Sequence, residues 1–312
     1  MIAAAPPTSL VETFAAEGYE LLAHLHRSRG SDVYDAWSLE RRTRVVIKTP
    51  RPDRLDDAVL HLRLHREGEL LSTLTHPHIL RGYEVLAGPP PAVVTETLRG
   101  ETLAHLLDDA TRLTPTETAV LGLQLTSAVA YLHDLGYLHL DLKPANIVVD
   151  AGRAVVVDLG LARPPGPASS GLGTWCYMSP EQAVGGALDA AADVWGIGTV
   201  LFEAVTGRLA FGDDDASEEP SYEATDGDMD EDEDEDAPPD DYPQLLARAP
   251  LVRSIRRVPP SLASAIDASL EPDPERRPML DQLAAALEKI PGAGSPRDAR
   301  LDAGTARGRP SP

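Results

Sequence analysis

Residues 139–146 read His139-Leu140-Asp141-Leu142-Lys143-Pro144-Ala145-Asn146, and this polar stretch decides how the fold is interpreted. Two valine-rich runs follow it, Ile-Val-Val-Asp and Ala-Val-Val-Val-Asp, and Ala151-Gly152 separates them. Such runs on either side of a turn predict a short β-hairpin. The sequence therefore predicts a polar loop held by a hairpin, with Asp158-Leu159-Gly160 directly after the second strand.

The residue types in and after this loop suit the transfer of a phosphoryl group. That reaction asks a protein mainly to position the reactants and to neutralise charge, and it uses a divalent metal. Magnesium prefers hard oxygen ligands, such as the carboxylate of Asp158 and the amide oxygen of Asn146. Asp141 is suited to orient a hydroxyl and accept its proton, and Lys143 to face the transferred phosphate.

A predicted helix at about residues 56–73 carries one residue that does not fit its apolar stripe. The leucines of the stripe stand at helical spacing, at Leu60, Leu64, Leu71 and Leu74. Glu67 falls on the same stripe. A carboxylate on a core-facing stripe is costly unless it is paired. The sequence therefore predicts a buried cation next to Glu67.

On these motifs, most of the chain resembles the eukaryotic-like Ser/Thr protein kinases of bacteria. The resemblance implies that Asp141 is the catalytic base and that Asn146 and Asp158 hold Mg²⁺. It makes Lys48, which ends the run Val-Val-Ile-Lys, the lysine that binds the α- and β-phosphates of ATP. Glu67 then matches the glutamate that pairs with this lysine, and Lys48 supplies the cation that the helix requires.

The resemblance also assigns nucleotide contacts and structural anchors. Thr95 stands at the gatekeeper position, next to the segment expected to contact adenine. The residues assigned to ATP are Val33, Val46, Lys48, Glu96, Leu98 and Val148. Met178-Ser179-Pro180-Glu181 resembles the end of an activation segment. Asp193 and Arg277 match structural anchors, and Arg277 is expected to pair with Glu181.

Strand patterns precede helical ones along the chain, which predicts an α+β fold with a β-rich first lobe and a helical second lobe, like that of protein kinases. We expect a leader at 1–18, a kinase domain at 19–290 with lobes at 19–98 and 99–290, and a disordered tail at 291–312. Under the resemblance, the substrates are ATP and proteins that carry Ser or Thr.

One segment accounts for most of the formal net charge of −22. The acidic insert, residues 213–241, contains 17 Asp and Glu and no Lys or Arg, so the rest of the chain has a net charge of −5. Such charge density predicts disorder. We expect the acidic insert to recruit a basic partner or to fold onto an Arg-rich surface or tail, or else to act as a solvated linker. The balance argues against a nucleic-acid binder.

The composition also bears on the compartment. One cysteine, Cys176, excludes an internal disulfide framework and fits a reducing cytosol. The N-terminal residues lack the charged and apolar regions of a signal peptide, and no run reaches 18 apolar residues. We therefore expect a cytoplasmic protein with no membrane partner.

The phosphate-covering hairpin departs from the family pattern of glycines. Aligned on Val33, the three glycine positions hold His26, Ser28 and Ser31, and only Gly30 near the tip is glycine. Bare backbone lets such a loop approach phosphates closely. This hairpin is therefore expected to cover ATP less closely or to hold it more weakly.

A second departure is Leu140, where many kinases have an arginine before the catalytic aspartate. That arginine docks a phosphorylated activation loop. We therefore expect activity that does not strictly require phosphorylation within residues 161–177.

Two other functions remain open. The missing glycines favour a pseudokinase scaffold that turns over nucleotide weakly or not at all, whereas the intact polar residues oppose it. A small-molecule phosphotransferase of the aminoglycoside-kinase type shares the His-x-Asp loop. The position of Lys143, the Ser-Pro-Glu segment and Arg277 favour a protein kinase.

Overall fold

The computed structural model of the protein describes residues 10, 13–15, 17–28, 30–110, 112–212, 221–222 and 242–293. Two compact units share the chain. The first contains residues up to 99 together with 158–160, and the second contains 100–157 and the chain from 161 onward. Across the described ranges, no helix combines the length and apolar character needed to span a membrane.

The first unit is built on a five-stranded antiparallel sheet with the strand order β1-β2-β3-β5-β4. Its strands are β1 Tyr19–Arg27, β2 Ser31–Ser38, β3 Thr43–Pro50, β4 Gly82–Leu86 and β5 Ala92–Glu96. The β-prone runs of the sequence all form strands here, so the predicted meander is confirmed.

Alternation along the strands gives this sheet two different faces. One face builds the apolar core with Leu10, Phe14, Tyr19, Tyr34, Ala36, Val45, Ile47, Leu86, Ala92 and Val94. On the other face, Lys48 of β3 lies opposite Val33 of β2 and opposite Val93 of β5. Val46, two residues before Lys48, shares that face. Lys48 therefore lies on the face of the sheet opposite the apolar core.

Helix α1, Ala58–Thr73, packs on the face of the sheet that carries Lys48. Its buried residues are Leu64, Glu67, Gly68 and Leu71, which confirms the predicted stripe. A Cβ atom on Gly68 would lie 2.6 Å from Cγ2 of Val85 and 2.7 Å from Cγ2 of Val93. The helix backbone thus lies directly on the sheet at Gly68, and this contact fixes the position of the neighbouring Glu67.

Two residues ahead of β1 belong to the core of the first unit. Leu10 and Phe14 are 4% and 1% exposed and pack with the apolar face of the sheet. Both fall within the predicted leader at 1–18, of which residues 1–9, 11–12 and 16 lie outside the described residues. These two side chains therefore contribute to packing, although the sequence gives that segment only a weak pattern.

The second unit is mainly helical. Its helices are α2 Leu103–Ala110, α3 Pro115–Asp134, α4 Pro180–Val184, α5 Ala190–Thr206, α6 Pro243–Leu246, α7 Val252–Ile255, α8 Pro260–Ser269 and α9 Leu280–Leu287. Thr114 and Glu117 form a capping box at the start of α3. Gly207 ends α5 in the left-handed conformation with φ +73°. The start and stop signals of the sequence are therefore confirmed at both helices.

Short strands complete the second unit. They are β6 Glu101–Thr102, β7 Ile147–Asp150, β8 Arg153–Val156, β9 Gly166–Ala168, β10 Gly173–Thr174, β11 Gly186–Leu188 and β12 Ser221–Tyr222. Strands β6, β7 and β8 form one sheet, β9 pairs with β11, and β10 pairs with β12. The pair β7–β8 is the predicted hairpin, and the sheet-first, helix-later order confirms the α+β class.

The acidic insert at 213–241 lies outside the described residues, except for β12. The predicted tail lies outside them from residue 294 onward. The expectation of disorder for both segments stays a prediction.

Candidate active site

An ion pair in the first unit supplies the cation that Glu67 requires. The Nζ atom of Lys48 donates to Oε1 and Oε2 of Glu67 at 3.0 and 2.8 Å. It also lies 3.4 Å from Oδ2 of Asp158. Glu67 is almost fully buried, so the ammonium of Lys48 is held between two carboxylates in one position.

The electrostatics of this group favour a charged lysine. Burial lowers the pKa of Lys48, but the carboxylates of Asp158 and Glu67 outweigh burial and raise it above the usual value. Burial raises the pKa of Glu67, an effect that the ammonium of Lys48 opposes. Lys48 therefore stays protonated, and the charge of Glu67 depends on its presence.

The turn after Asp158 leaves room around its carboxylate. Oδ1 of Asp158 accepts the main-chain N–H of Gly160 at 2.8 Å. A Cβ atom on Gly160 would lie only 3.0 Å from the same oxygen, so glycine fits this turn. The side chain of Asp158 is 39% exposed, and a cation can therefore reach it from solvent.

In the second unit, Asn146 fixes the side chain of Asp141 within the loop at 139–146. The Nδ2 atom of Asn146 donates to the main-chain oxygen and to Oδ2 of Asp141, both at 2.9 Å. Because Asp141 takes both protons of that nitrogen, the amide oxygen of Asn146 is the atom left to bind a metal. The N–H of Asp141 donates to Nδ1 of His139 at 3.2 Å, which gives His139 a structural role.

Thr174 links the two charged residues of the loop. Its hydroxyl donates to Oδ1 of Asp141 at 2.6 Å and accepts from Nζ of Lys143 at 2.8 Å. Lys143 and Asp141 also approach each other, with Nζ 3.7 Å from Oδ2. The carboxylate expected to act as a base is therefore held by an amide, a hydroxyl and an ammonium together.

Buried Asp193 holds the main chain of the same loop. Its carboxylate accepts the N–H groups of His139 and Leu140, each at 2.8 Å. Nε2 of His133 lies 2.7 Å from the same side chain. Leu140 has φ +67°, a left-handed conformation that is strained for a residue other than glycine. The anchor role predicted for Asp193 thus consists of holding the strained turn before Asp141.

Gln182 connects this turn to the segment that ends at α4. Its Nε2 atom donates to the main-chain oxygens of Leu140 and Leu172 at 2.8 and 2.7 Å. The side chain of Leu140 packs in an apolar cluster formed by Leu138, Leu140, Leu172, Leu188 and Ala192. The sequence analysis missed Gln182, although the Ser179-x-x-Gln182 capping box at the start of α4 marks the residue.

Arg277 forms the predicted pair with Glu181. Its Nη1 and Nη2 atoms donate to the two carboxylate oxygens at 2.6 and 2.8 Å. The guanidinium lies 4.9 Å from the ring centroid of Trp195, and Nη1 also donates to the main-chain oxygen of Ala191 at 3.0 Å. This fully satisfied cation ties α4 and α5 together.

Polar contacts close the hairpin between β1 and β2, where the family pattern has glycines. The N–H of Ser28 donates to the main-chain oxygen of Ser31 at 2.8 Å, and the N–H of Ser31 donates to Oγ of Ser28 at 3.0 Å. Fully buried Asp32 binds Arg27 at 2.7 and 2.8 Å and lies 3.0 Å from Nε2 of His24. Burial raises the pKa of Asp32, but these two partners outweigh it and lower the pKa below the usual value.

The other residues assigned to ATP are distributed over both units. Val33 and Val46 are half-buried on the Lys48 face of the sheet. Glu96 ends β5, and Leu98 lies half-buried two residues beyond it. Val148 is half-buried on β7 of the second unit. Their contacts with a nucleotide stay predictions.

We expect a double-mutant cycle to show that Lys48 and Glu67 depend on each other. Either Lys48→Met or Glu67→Leu alone should lower the free energy of unfolding by about 3 kcal/mol, because each removes the nearest ion partner of the other residue. The double variant should lose about 2 kcal/mol less than the sum of the two. Chemical denaturation of the four chains measures these values.

The exposed pair of Arg51 and Asp53, which are 2.7 Å apart, provides the control for this cycle. Its coupling should stay below about 1 kcal/mol. Additive effects of the Lys48 and Glu67 substitutions would show that the buried pair has no energetic link.

Comparison with known proteins agrees with this geometry. Residues 19–286 match the protein kinase domain family. Serine/threonine-protein kinase PknB of Mycobacterium tuberculosis is 35% identical over 206 residues, which are 62% of this chain and 33% of the relative. A probable serine/threonine-protein kinase of Streptomyces coelicolor is 33% identical over 206 residues, 62% of this chain and 31% of that protein.

A probable serine/threonine-protein kinase of Corynebacterium efficiens is 32% identical over 209 residues, 63% of this chain and 32% of that protein. The chain thus spans about a third of the length of the curated relatives it matches. The family match includes both the Lys48–Glu67 pair and the Asp141 loop. The chain belongs to the protein kinase domain family.

Proposed function

We propose that the chain is a Ser/Thr protein kinase that transfers the γ-phosphate of ATP to a protein hydroxyl. The observation that carries the proposal is the carboxylate of Asp141, which Asn146, Thr174 and Lys143 hold together. A base, an ammonium for the transferred phosphate and a free amide oxygen at this spacing suit phosphoryl transfer.

Lys48 binds the α- and β-phosphates in this proposal, and Glu67 keeps its ammonium in place. Asp158 and Asn146 would hold Mg²⁺, which would supply positive charge to offset that of the phosphates. Within the described part of the chain, no group of three or more His, Cys, Asp or Glu side chains is placed to hold a metal ion. Magnesium fits such a sparse set, since it is usually bound by one or two carboxylates and by substrate phosphates.

The transfer step assigns one role to each residue of the loop. The substrate hydroxyl oxygen attacks the γ-phosphorus while its proton passes to the carboxylate of Asp141. The bond to the β–γ bridging oxygen breaks, and ADP leaves with the electron pair. Lys143 offsets the charge of the transferred group, and Thr174 keeps the carboxylate in its orientation.

The conformation of the activation segment is maintained without a phosphate in this proposal. Leu140 replaces the arginine that docks a loop phosphate in many kinases, and its side chain packs against Leu172. Gln182 adds one hydrogen bond to the main-chain oxygen of Leu172 in this segment and one to that of Leu140. Ser169 and Ser170 are exposed to solvent, so a phosphate on either serine would be poorly placed to make contacts within the protein.

The hairpin of β1 and β2 covers the phosphates of ATP in this proposal, with fewer close backbone contacts than a glycine-rich loop provides. The buried carboxylate of Asp32 and the Ser28–Ser31 contacts give it a fixed shape instead. We expect weaker ATP binding than in a relative with three glycines, and turnover that is retained.

A pseudokinase scaffold is the second candidate, and the replaced hairpin glycines favour it.

The acidic insert at 213–241 is, in either case, a candidate docking segment for a basic protein, which it would attract through long-range electrostatic interactions. Deletion of the insert should then weaken binding of such a protein at low salt. Unchanged binding would reject the docking role.

The central test compares the wild type with three variants, at the proposed base, at the proposed phosphate-binding lysine and at a control lysine. We expect Asp141→Asn to lower ³²P transfer from ATP to a generic basic protein by about 10²- to 10⁴-fold, the usual contribution of a general base. Lys48→Met should abolish transfer, because the α- and β-phosphates of ATP lose the ammonium that binds them. The third lysine, exposed Lys289, provides the matched control, and Lys289→Met should transfer at the wild-type rate.

Two outcomes would contradict the kinase proposal. Equal transfer by wild type and Asp141→Asn would show that a contaminating kinase causes the signal. ATP binding without any transfer by the wild type would leave the scaffold function.

Thr174 allows a sharper test of the loop. Thr174→Val keeps the shape and removes the hydroxyl, so kcat should fall by about 10- to 100-fold, the value of a hydrogen bond to a charged group. KM for ATP should change little, and Thr174→Ser should restore most of the rate. Steady-state kinetics on the basic protein measure both constants, and equal rates for Val and Thr would rule out the bridging role.

Phosphorylation of the activation segment should not be required. Two samples should transfer phosphate at a rate within about twofold of the untreated chain: the double variant Ser169→Ala, Ser170→Ala and phosphatase-treated wild type. The reason is that apolar contacts, which do not depend on a phosphate, hold the segment in place. Leu172→Ala, which removes such a contact, should lower the rate more than the serine variant does. Loss of activity after phosphatase treatment would contradict this.

A further inference from the structure

The first strand of the sheet changes register at Leu25. His24 lies opposite Tyr34 and His26 lies opposite Val33, so Leu25 is the extra residue of a β-bulge. Regular alternation along a strand would place His24 and His26 on the same face. A register shift of one residue moves the following side chains to the other face, so the bulge separates the two histidines.

Contacts on both sides of the bulge agree with this change of face. Nε2 of His24 lies 3.0 Å from Oδ1 of Asp32, and Nε of Arg27 donates to the same oxygen at 2.7 Å. The hydroxyl of Tyr34, which belongs to the apolar core, donates to Oδ2 of Asp32 at 3.2 Å. His24 and Arg27 therefore meet on the core face, and His26 between them faces the other side of the sheet.

Lys48 lies on that same side. Val33 is opposite both His26 and Lys48, so the three residues form one row across β1, β2 and β3. Neighbouring strands are about 4.8 Å apart, which places the main chain of His26 about 10 Å from that of Lys48. Both side chains extend from one face, so a ligand with several charged groups can contact the ammonium and the imidazole together.

The electrostatics of His26 agree with this placement. Burial of part of the ring lowers the pKa of His26 below its usual value. The charge of Lys48 lowers this pKa further, whereas the carboxylate of Asp158 raises it. The ring is therefore neutral at pH 7, with one N–H donor. His26 is also exposed, so a ligand can reach it from solvent.

We propose that His26 is a phosphate-binding residue, whose imidazole N–H donates to a phosphate oxygen of ATP. The inference rests on the proposed kinase function and adds one residue to its nucleotide site. His26 stands where the family pattern has the first glycine of the hairpin. A side-chain donor thus takes the place of the close backbone approach that glycine allows. The bulge at Leu25 aims this donor, as bulges do beside many active sites.

Ser28, at the second glycine position, is engaged within the hairpin. Its Oγ atom accepts the N–H of Ser31 at 3.0 Å and donates to the main-chain oxygen of Ser31 at 3.1 Å. A phosphate would have to compete with these contacts for the hydroxyl of Ser28. His26 is therefore the better placed of the two side chains to bind a ligand.

Calorimetric titration of the full chain with ATP and with adenosine, both in the presence of Mg²⁺, tests the proposal. His26→Ala should weaken ATP binding about tenfold, the effect of losing a hydrogen bond to a charged group. Adenosine has no phosphate, so its affinity should stay unchanged. His26→Gln keeps an N–H donor and should bind ATP within about threefold of the wild type. Exposed His65 of α1, which lies 3.3 Å from Glu69, provides the matched control, and His65→Ala should bind both ligands like the wild type.

Four results would overturn the proposal. Equal or tighter ATP binding by His26→Ala would show that the imidazole is a bystander or an obstacle. A parallel loss of adenosine affinity would show that His26 supports the shape of the hairpin instead. An equal loss in His26→Gln would exclude the N–H donor, and a wild type that binds no ATP would leave His26 without its ligand.

Phosphate transfer to a generic basic protein separates this inference from the proposed function. His26→Ala should raise KM for ATP about tenfold and change kcat little, because the lost contact binds the substrate before the transfer step. A wild type that binds ATP but transfers no phosphate overturns the kinase function. The affinities for ATP and adenosine then still decide the role of His26.

Discussion

A carboxylate taken out of water must find a partner, and this constraint organises each segment that the proposed chemistry uses. Four carboxylates are buried among the described residues, and three of them lie in these segments: Glu67 in the first unit, Asp32 at its hairpin and Asp193 in the second unit. Glu67 fixes Lys48, Asp32 closes β1 onto β2, and Asp193 holds the turn before the proposed base. Because an unpaired buried charge costs several kcal/mol, each partner is restricted to one position.

These contacts supply position more than stability. A buried ion pair often contributes no more to folding than apolar residues of the same volume would. The strained backbone of Leu140 is a direct cost, of about 1–3 kcal/mol, which is offset by the hydrogen bonds that the main chain donates to Asp193. The fold therefore accepts a local free-energy cost in the turn before Asp141. Burial of apolar side chains in the helices of the second unit offsets this cost.

The sequence predicts those parts of the fold and site that local patterns encode. Glu67 interrupts an apolar stripe, and that alone indicates a buried cation, while the resemblance to kinases identifies it as Lys48. The network around Thr174 could not be predicted from pattern, since it joins residues more than 30 positions apart. Strand β12 was not predicted, because the acidic composition of the sequence around it indicates disorder. Phe14 was missed because a single buried aromatic residue leaves no periodicity.

The two departures from the family pattern, at the hairpin and at Leu140, both remove contacts that can form and break. A glycine-rich loop and an arginine that awaits a phosphate are both contacts that can be made and released. Here Ser28 and Asp32 close the hairpin with hydrogen bonds inside the protein, and Leu140 packs into an apolar cluster that carries no charge.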